Sequence, residues 1–146
     1  MTSGLSSEGP VYFCDRNLGK KFPHRLRELG LLVKAHDELF QPDTPDEIWI
    51  PQVCAQGWVI LTLDARIRYR PGEKASLHLH GAKVILFTQP KKAGPDWLLA
   101  LAKEFTEAQG NVLRFLQRTP PPFVARFHVN PEKRGSKRHR LVLLSL

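Results

Sequence analysis

The sequence has little cysteine. Cys14 and Cys54 are the only two cysteines in 146 residues. Two thiols do not make the disulfide framework of a small secreted domain, and these two lack the spacing of a zinc site. Both are therefore predicted to be reduced, buried thiols, as expected in a reducing compartment.

Long apolar runs are also missing. No segment approaches the ~20 apolar residues that a helix needs to cross a bilayer. Residues 1–10 are small and polar, without the charged and then apolar pattern of a signal peptide, and we expect them to be flexible. These absences predict a cytoplasmic protein with no membrane partner.

Positive charge is what the sequence has in excess. The net charge is +8, which favours a polyanionic partner such as nucleic acid. The charge is unevenly spread: five acids and no base lie within Asp37–Glu47, whereas five bases and one acid lie within Glu132–Arg140. This segregation suits an enzyme with a metal-holding pocket and a separate anion-binding surface.

Strands and helices are predicted to alternate along a core at residues 11–90. Short apolar runs bounded by turn residues predict buried strands at Val11–Cys14, Leu31–Val33, Trp58–Asp64 and Lys83–Phe87. Helices are predicted between them, beginning at Pro23, at Thr44 and near Glu73. Such alternation is typical of an α/β fold with a mainly parallel sheet. The length and the hydrophobic content of 42% suit one domain over residues 11–146.

The second of these helices carries the clearest local signals. Thr44 is expected to cap it, and Glu47 completes a capping box. Pro45 suits the first turn, whereas Pro51 lies inside the helix and is expected to kink or split it.

The remaining residues, 94–146, are predicted to form a C-terminal extension. Pro95 begins a longer helix, which Gly110 and Asn111 interrupt. Phe123–Val129 and Leu141–Leu146 have strand character and are predicted to pair as a two-stranded ribbon, joined by a basic loop.

Three carboxylates are predicted to converge. Asp15 and Asp64 each follow a buried strand, and the carboxyl ends of adjacent parallel strands share one edge of a sheet. Asp46 lies in the first turn of the intervening helix. Three acids at one place repel one another unless a cation is bound, and all-oxygen ligands suit Mg²⁺ or Mn²⁺. Each acid also has a purely structural alternative: Asp15 as a cap, Asp46 as a favourable charge for the helix dipole, and Asp64 as an Asx turn.

The ordered set of motifs resembles a known family. The stretches are Phe13-Cys-Asp-Arg-Asn-Leu-Gly19, His36-Asp37, Pro42-Asp-Thr-Pro-Asp-Glu-Ile-Trp49 and Gly57-Trp-Val-Ile-Leu-Thr-Leu-Asp64. From Val11 to Phe87 the chain resembles the PIN-like domains, most closely the VapC-type toxins of bacterial toxin–antitoxin pairs. The resemblance implies a three-layer fold and a Mg²⁺- or Mn²⁺-dependent ribonuclease whose first acid is Asp15, with Asp46 and Asp64 as the next two. It also implies RNA and an antitoxin as partners; self-association is left open.

The sequence departs from the family pattern after Asp64. Many relatives carry a further acid shortly downstream, where this chain has Arg66, Arg68 and Arg70. Asp37, Asp43 and Glu47 are candidate substitutes, and the sequence does not choose among them. The alternative function is therefore a catalytically incomplete domain that binds nucleic acid or a protein partner.

Two sets of cations are candidates for RNA binding. Arginine binds phosphate in a forked geometry, so Arg66, Arg68 and Arg70 are suited to bind the phosphates of an RNA strand that lies over the acids. The alternative is that these three arginines simply form a solvated loop. The second set lies in the basic loop and could follow an RNA backbone or simply solubilise a hairpin tip. Its members are Lys133, Arg134, Lys137 and Arg138.

Overall fold

The structure is a computed structural model that describes residues 5–6 and 9–146. Most of the segment predicted to be flexible, at residues 1–4, 7 and 8, lies outside the described residues. Leu5–Ser6 forms a strand, β1, that pairs antiparallel with the start of the next strand.

A mainly parallel sheet lies at the centre of the fold. The strands are β1 (Leu5–Ser6), β2 (Gly9–Cys14), β3 (Leu32–Ala35), β4 (Val59–Thr62), β5 (Lys83–Leu86), β6 (Phe123–Val129) and β7 (His139–Leu144). Their order is β3-β2-β4-β5-β6-β7; β2 to β6 pair in parallel, and β7 is antiparallel to β6. The helices are α1 (Lys21–Glu28), α2 (His36–Leu39), α3 (Asp46–Ala55), α4 (Pro71–Leu79), α5 (Trp97–Glu107) and α6 (Gln109–Arg118). Across the described residues, every helix is too short or too polar to span a bilayer.

Helices cover both faces of the sheet, because successive strand residues point to opposite sides. Tyr12 and Leu61 face one side and pack with residues of α1, α5 and α6, including Phe105. Phe13 and Ile60 face the other side and pack with residues of α3 and α4. The predicted three-layer α/β fold is therefore confirmed.

Helix α3 differs from its predicted start. It begins at Asp46, so Pro45 occupies the N-cap position in an extended conformation, and no side chain caps the helix. The prediction that Thr44 caps α3 is therefore wrong. Pro51 does not split the helix, since its ring removes only the hydrogen bond to the carbonyl of Glu47 in the first turn.

The C-terminal ribbon is continuous with the central sheet. Strand β6 pairs in parallel with β5, placing Val84 opposite Val124, and β7 completes the ribbon on its outer side. Because β6 runs in the same direction as β4 and β5, the basic loop after β6 lies at the same sheet edge as Asp64. The helical break falls at Ala108, slightly before the predicted Gly110.

Candidate metal and nucleic-acid site

The carboxyl ends of β2, β4 and β5 are held together by backbone hydrogen bonds. The N–H of Asp15 donates to the carbonyl of Leu61 at 2.9 Å, and the N–H of Phe87 donates to the carbonyl of Thr62 at 2.9 Å. Asp15, which follows β2, and Asp64, which follows β4, therefore lie at one edge of the sheet, as the strand pattern predicts.

Asp15 is a buried carboxylate with a complete set of donors. Its Oδ1 accepts from the N–H of Arg16 at 2.8 Å, and its Oδ2 accepts from Thr62 Oγ1 at 2.8 Å and from Asn17 Nδ2 at 3.3 Å. It caps the 3-10 turn that follows, so the structural alternative for this acid is also observed. Burial, together with the nearby charges of Asp46 and Asp64, raises the pKa of Asp15 to about 6 despite the opposing hydrogen bond from Thr62.

Asp46 is fixed by an aromatic cluster beneath it. The indole Nε1 of Trp49 donates to Asp46 Oδ1 at 2.9 Å. The ring of Trp49 is fully buried, with its centroid 5.0 Å from that of Phe13 and 5.9 Å from that of His36. This packing limits the movement of the first turn of α3, and with it the carboxylate.

The acid that completes the cluster is Glu73, which the sequence analysis missed. Carboxylate oxygens of Asp46, Asp64 and Glu73 lie within 4.8 Å of one another. Glu73 is buried in the first turn of α4, whose N-terminus lies at the same sheet edge. The pKa of Glu73 is raised to about 7, mainly by burial and secondly by a hydrogen bond with Asp46. The signal in the sequence was a helix start at Pro71-Gly72 shortly after Asp64.

The other candidate acids are not members of this cluster. Asp37 Oδ2 is 3.8 Å from the amine of Lys20, beside α1. Glu47 is exposed and lies close to Gly72, and Asp43 is exposed in the segment before α3. Glu73, rather than any of these three, joins Asp46 and Asp64 in the acidic cluster.

Two of the three arginines after β4 form hydrogen bonds with other residues of the protein. Arg70 Nη1 donates to Asp64 Oδ2 at 2.6 Å and to Glu73 Oε1 at 2.9 Å. Arg68 Nη1 donates to the carbonyl of Ser145 at 2.7 Å. The side chain of Arg66 is exposed, and that of Arg70 remains 41% exposed despite its ion pairs, so phosphate binding by these arginines stays a prediction.

The donor set of the cluster fits a hard divalent cation. Asp46, Asp64 and Glu73 present oxygen atoms alone, the ligand type that Mg²⁺ and Mn²⁺ prefer. Asp15 is adjacent to this group through Thr62, whose hydroxyl also accepts the N–H of Asp64 at 3.0 Å. The guanidinium of Arg70 already provides one positive charge there.

The basic loop after β6 is anchored by one of its own arginines. Arg138 donates to both carboxylate oxygens of Glu104, at 2.8 and 2.5 Å, and His139 Nε2 lies 2.8 Å from the same carboxylate. The hydrogen bonds from Arg138 lower the pKa of Glu104 to about 2. The other three candidate cations are exposed: Lys133, Arg134 and Lys137.

Comparison with known proteins gave one match. A model of the PIN-like domain family matches residues 10–89, more than half of the chain, and this range contains Asp15 and the three clustered acids. Searches of curated proteins and of solved structures found no match. With the family match covering β2 to β5 and the acidic edge between them, the chain belongs to the family of PIN-like domains.

Proposed function

We propose that this protein is a divalent-metal-dependent ribonuclease that hydrolyses phosphodiester bonds. PIN-like domains are usually nucleases, so the family indicates nuclease activity in general. The observation that carries the finer proposal is the convergence of Asp46, Asp64 and Glu73 next to buried Asp15. The sequence alone left the site one acid short, and Glu73 supplies that acid.

Each acid has a role set by its position. Asp46, Asp64 and Glu73 would hold Mg²⁺ or Mn²⁺, and such an ion supplies positive charge to a phosphate and lowers the pKa of a bound water. Asp15 lies beside them with a pKa of about 6, suitable for accepting a proton near neutral pH. The hydroxyl of Thr62 orients its carboxylate through the bond to Oδ2.

Exposed cations along the same edge would bind the RNA backbone. Lys91 and Lys92 follow β5, and Lys133, Arg134 and Lys137 follow β6. The strands run in parallel, so both groups lie at the end of the sheet that carries the acids. Phosphate binding by such residues releases counterions and is therefore salt-dependent.

A toxin role within a toxin–antitoxin pair is the further part of the proposal, and it rests on the resemblance to VapC-type toxins. Free nuclease is harmful, so an antitoxin that occludes the acids is expected. The contacts of Arg70 with Asp64 and Glu73 support this idea, because they demonstrate that a guanidinium fits this cluster. An antitoxin arginine or lysine would bind the remaining carboxylate surface.

The second candidate is a PIN-like domain that binds nucleic acid or a protein without cutting. The same ion pairs of Arg70 favour it, because an internal cation pairs with two of the three clustered acids. Metal-dependent cleavage separates the two functions, since a catalytically incomplete domain does not cut RNA.

The direct test is cleavage of end-labelled RNA by purified protein in Mn²⁺, Mg²⁺ or chelator. We expect metal-dependent cutting that Asp64→Asn abolishes, while Asp43→Asn, which removes an exposed acid, leaves it intact. Metal-independent cutting, or full activity of Asp64→Asn, would contradict the proposal. The same sequence as DNA tests the choice of RNA. Expression alone and with the genomic neighbour tests the toxin role separately.

A further inference from the structure

A cavity of about 320 Å³ opens between the ends of β5 and β6 and the beginning of α5. Its aromatic wall consists of Phe87, Trp97 and Phe127, and its polar lining includes Thr88, Arg126 and His128. None of these six side chains belongs to the acidic site described above.

The cavity is one strand away from the acids. Phe87 in its wall donates its N–H to the carbonyl of Thr62, and the hydroxyl of Thr62 donates to Asp15 Oδ2 at 2.8 Å. A single residue therefore contacts both the cavity wall and the acidic site. An RNA strand bound at the acids passes this opening if it continues toward the basic loop after β6.

The aromatic wall is rigid and suited to a flat ring. Phe87 and Phe127 are almost fully buried and meet edge to face, with centroids 5.7 Å apart and planes at 89°. Trp97 is only partly buried and offers ring surface at the side. Nucleobases stack on accessible aromatic rings such as that of Trp97 irrespective of sequence, and this volume is within the range of small-ligand pockets.

The polar lining selects an anionic ligand over a purely apolar one. Arg126 brings a positive charge to the lining, and its Nε is buried and makes no hydrogen bond within the described part of the chain. Exposed Lys91 and Lys92 follow β5 directly beside the opening. An aromatic cavity with cations at its mouth matches a base attached to a phosphodiester backbone.

We propose that this cavity binds one unpaired nucleobase of the RNA substrate, a few nucleotides from the bond held at the acids. The inference rests on the proposed function and specifies its substrate as single-stranded at that position. A base in a duplex is paired and stacked, so it enters only after it has been extruded.

A scan with single abasic nucleotides tests the proposal directly. Labelled RNA strands, each lacking one base at a different position, are bound to the wild-type protein in chelator and measured by fluorescence anisotropy. We expect the affinity to fall roughly tenfold when one particular base is absent, because one stacking interaction is lost. Removing any other base should change the affinity little. The Trp97→Leu variant, which keeps an apolar side chain, should bind intact RNA about as weakly as the wild type binds RNA that lacks the critical base. Its abasic scan should be flat. Trp97→Phe should restore the position-dependent loss.

The outcomes separate this inference from the nuclease proposal. RNA that is cut normally while the wild-type scan is flat would overturn the base cavity and leave the nuclease standing. A position-dependent scan with no cleavage under any metal would support the cavity and overturn the nuclease. The wild-type scan requires no substitution, so the stability of the variants does not decide the result.

Discussion

Arg70 donates from Nη1 to Asp64 Oδ2 at 2.6 Å, which places an internal cation within the acidic cluster. The same nitrogen lies 2.9 Å from Glu73 Oε1. A divalent ion that binds Asp64 and Glu73 must therefore compete with the guanidinium of Arg70, which already pairs with both carboxylates. Arg70 compensates part of the negative charge of the acids in the absence of metal and competes with the ion for them.

Replacing Arg70 with Gln should have opposite effects on stability and metal affinity. In chelator the melting temperature should fall, because Asp46, Asp64 and Glu73 lose their compensating charge. Mn²⁺ should then bind at least about fivefold more tightly, since a pair of unit charges ~4 Å apart contributes about 1 kcal/mol even in water. Calorimetric titration measures the affinity.

The matched control is Arg66→Gln, which removes an equal charge from an exposed side chain on the same turn. It should leave Mn²⁺ affinity close to that of the wild type. Equal tightening in both variants would show that net charge, rather than the ion pairs of Arg70, controls metal binding.

Glu73→Gln should remove most of the Mn²⁺ affinity, because it replaces a charged oxygen ligand with a neutral amide. Cleavage of RNA should be lost with it. Glu47→Gln is the comparison, since Glu47 is an exposed acid one residue from Asp46 in the same helix turn. If Glu73→Gln binds Mn²⁺ like the wild type, the cluster does not hold the ion.

The sequence predicted Asp46 and Asp64 but missed Glu73, for a physical reason. Strand-end acids follow from topology, because parallel strands bring their carboxyl ends to one edge. The position of Glu73 depends on how α4 packs, with Leu77 buried against the face of the sheet that carries Phe13 and Ile60. That packing is a long-range property, and spacing along the chain does not encode it.

The same limit applies to the arginines and to the ribbon. Alternating arginines after Asp64 indicated cations near the acids, but the contact of Arg68 with Ser145 joins residues far apart in sequence. Likewise, the alternation in Phe123–Val129 predicted a strand, whereas its pairing with β5 depends on register between distant segments. Local patterns identify elements; their partners follow only from the packed structure.

The stability of the metal-free protein should decrease as pH rises from about 4 to about 6. Burial raises the pKa of Asp15 from an ordinary value of 3.8 to about 6, so the folded protein holds this proton more tightly than the unfolded chain does. Protonated Asp15 thus favours folding at low pH, and that advantage is lost as pH passes the folded pKa. The two pKa values differ by the equivalent of about 3 kcal/mol.

Urea unfolding at a series of pH values in chelator measures this dependence. Asp15→Asn has no proton to lose there, so its stability should fall less between pH 4 and 6. Part of the slope should remain, because burial also raises the pKa of Glu73 to about 7. Asp43→Asn should retain the wild-type profile; a matching flattening in that variant would mean that the effect does not come from the buried acid.

The exposed cations of the loop after β6 should carry much of the RNA affinity. Replacing Lys133, Arg134 and Lys137 together with Gln should weaken binding and reduce the slope of log affinity against log salt by ~0.7 per lost phosphate contact. The anchoring bonds from Arg138 to Glu104 remain in this variant, so the loop should keep its position.

The control replaces three exposed cations on other elements, Lys34, Lys103 and Arg118. It changes the net charge equally but removes no residue from the loop itself. Equal losses in slope for the two triple variants would show that RNA responds to overall charge, and the loop would then have no special place in the path of the strand.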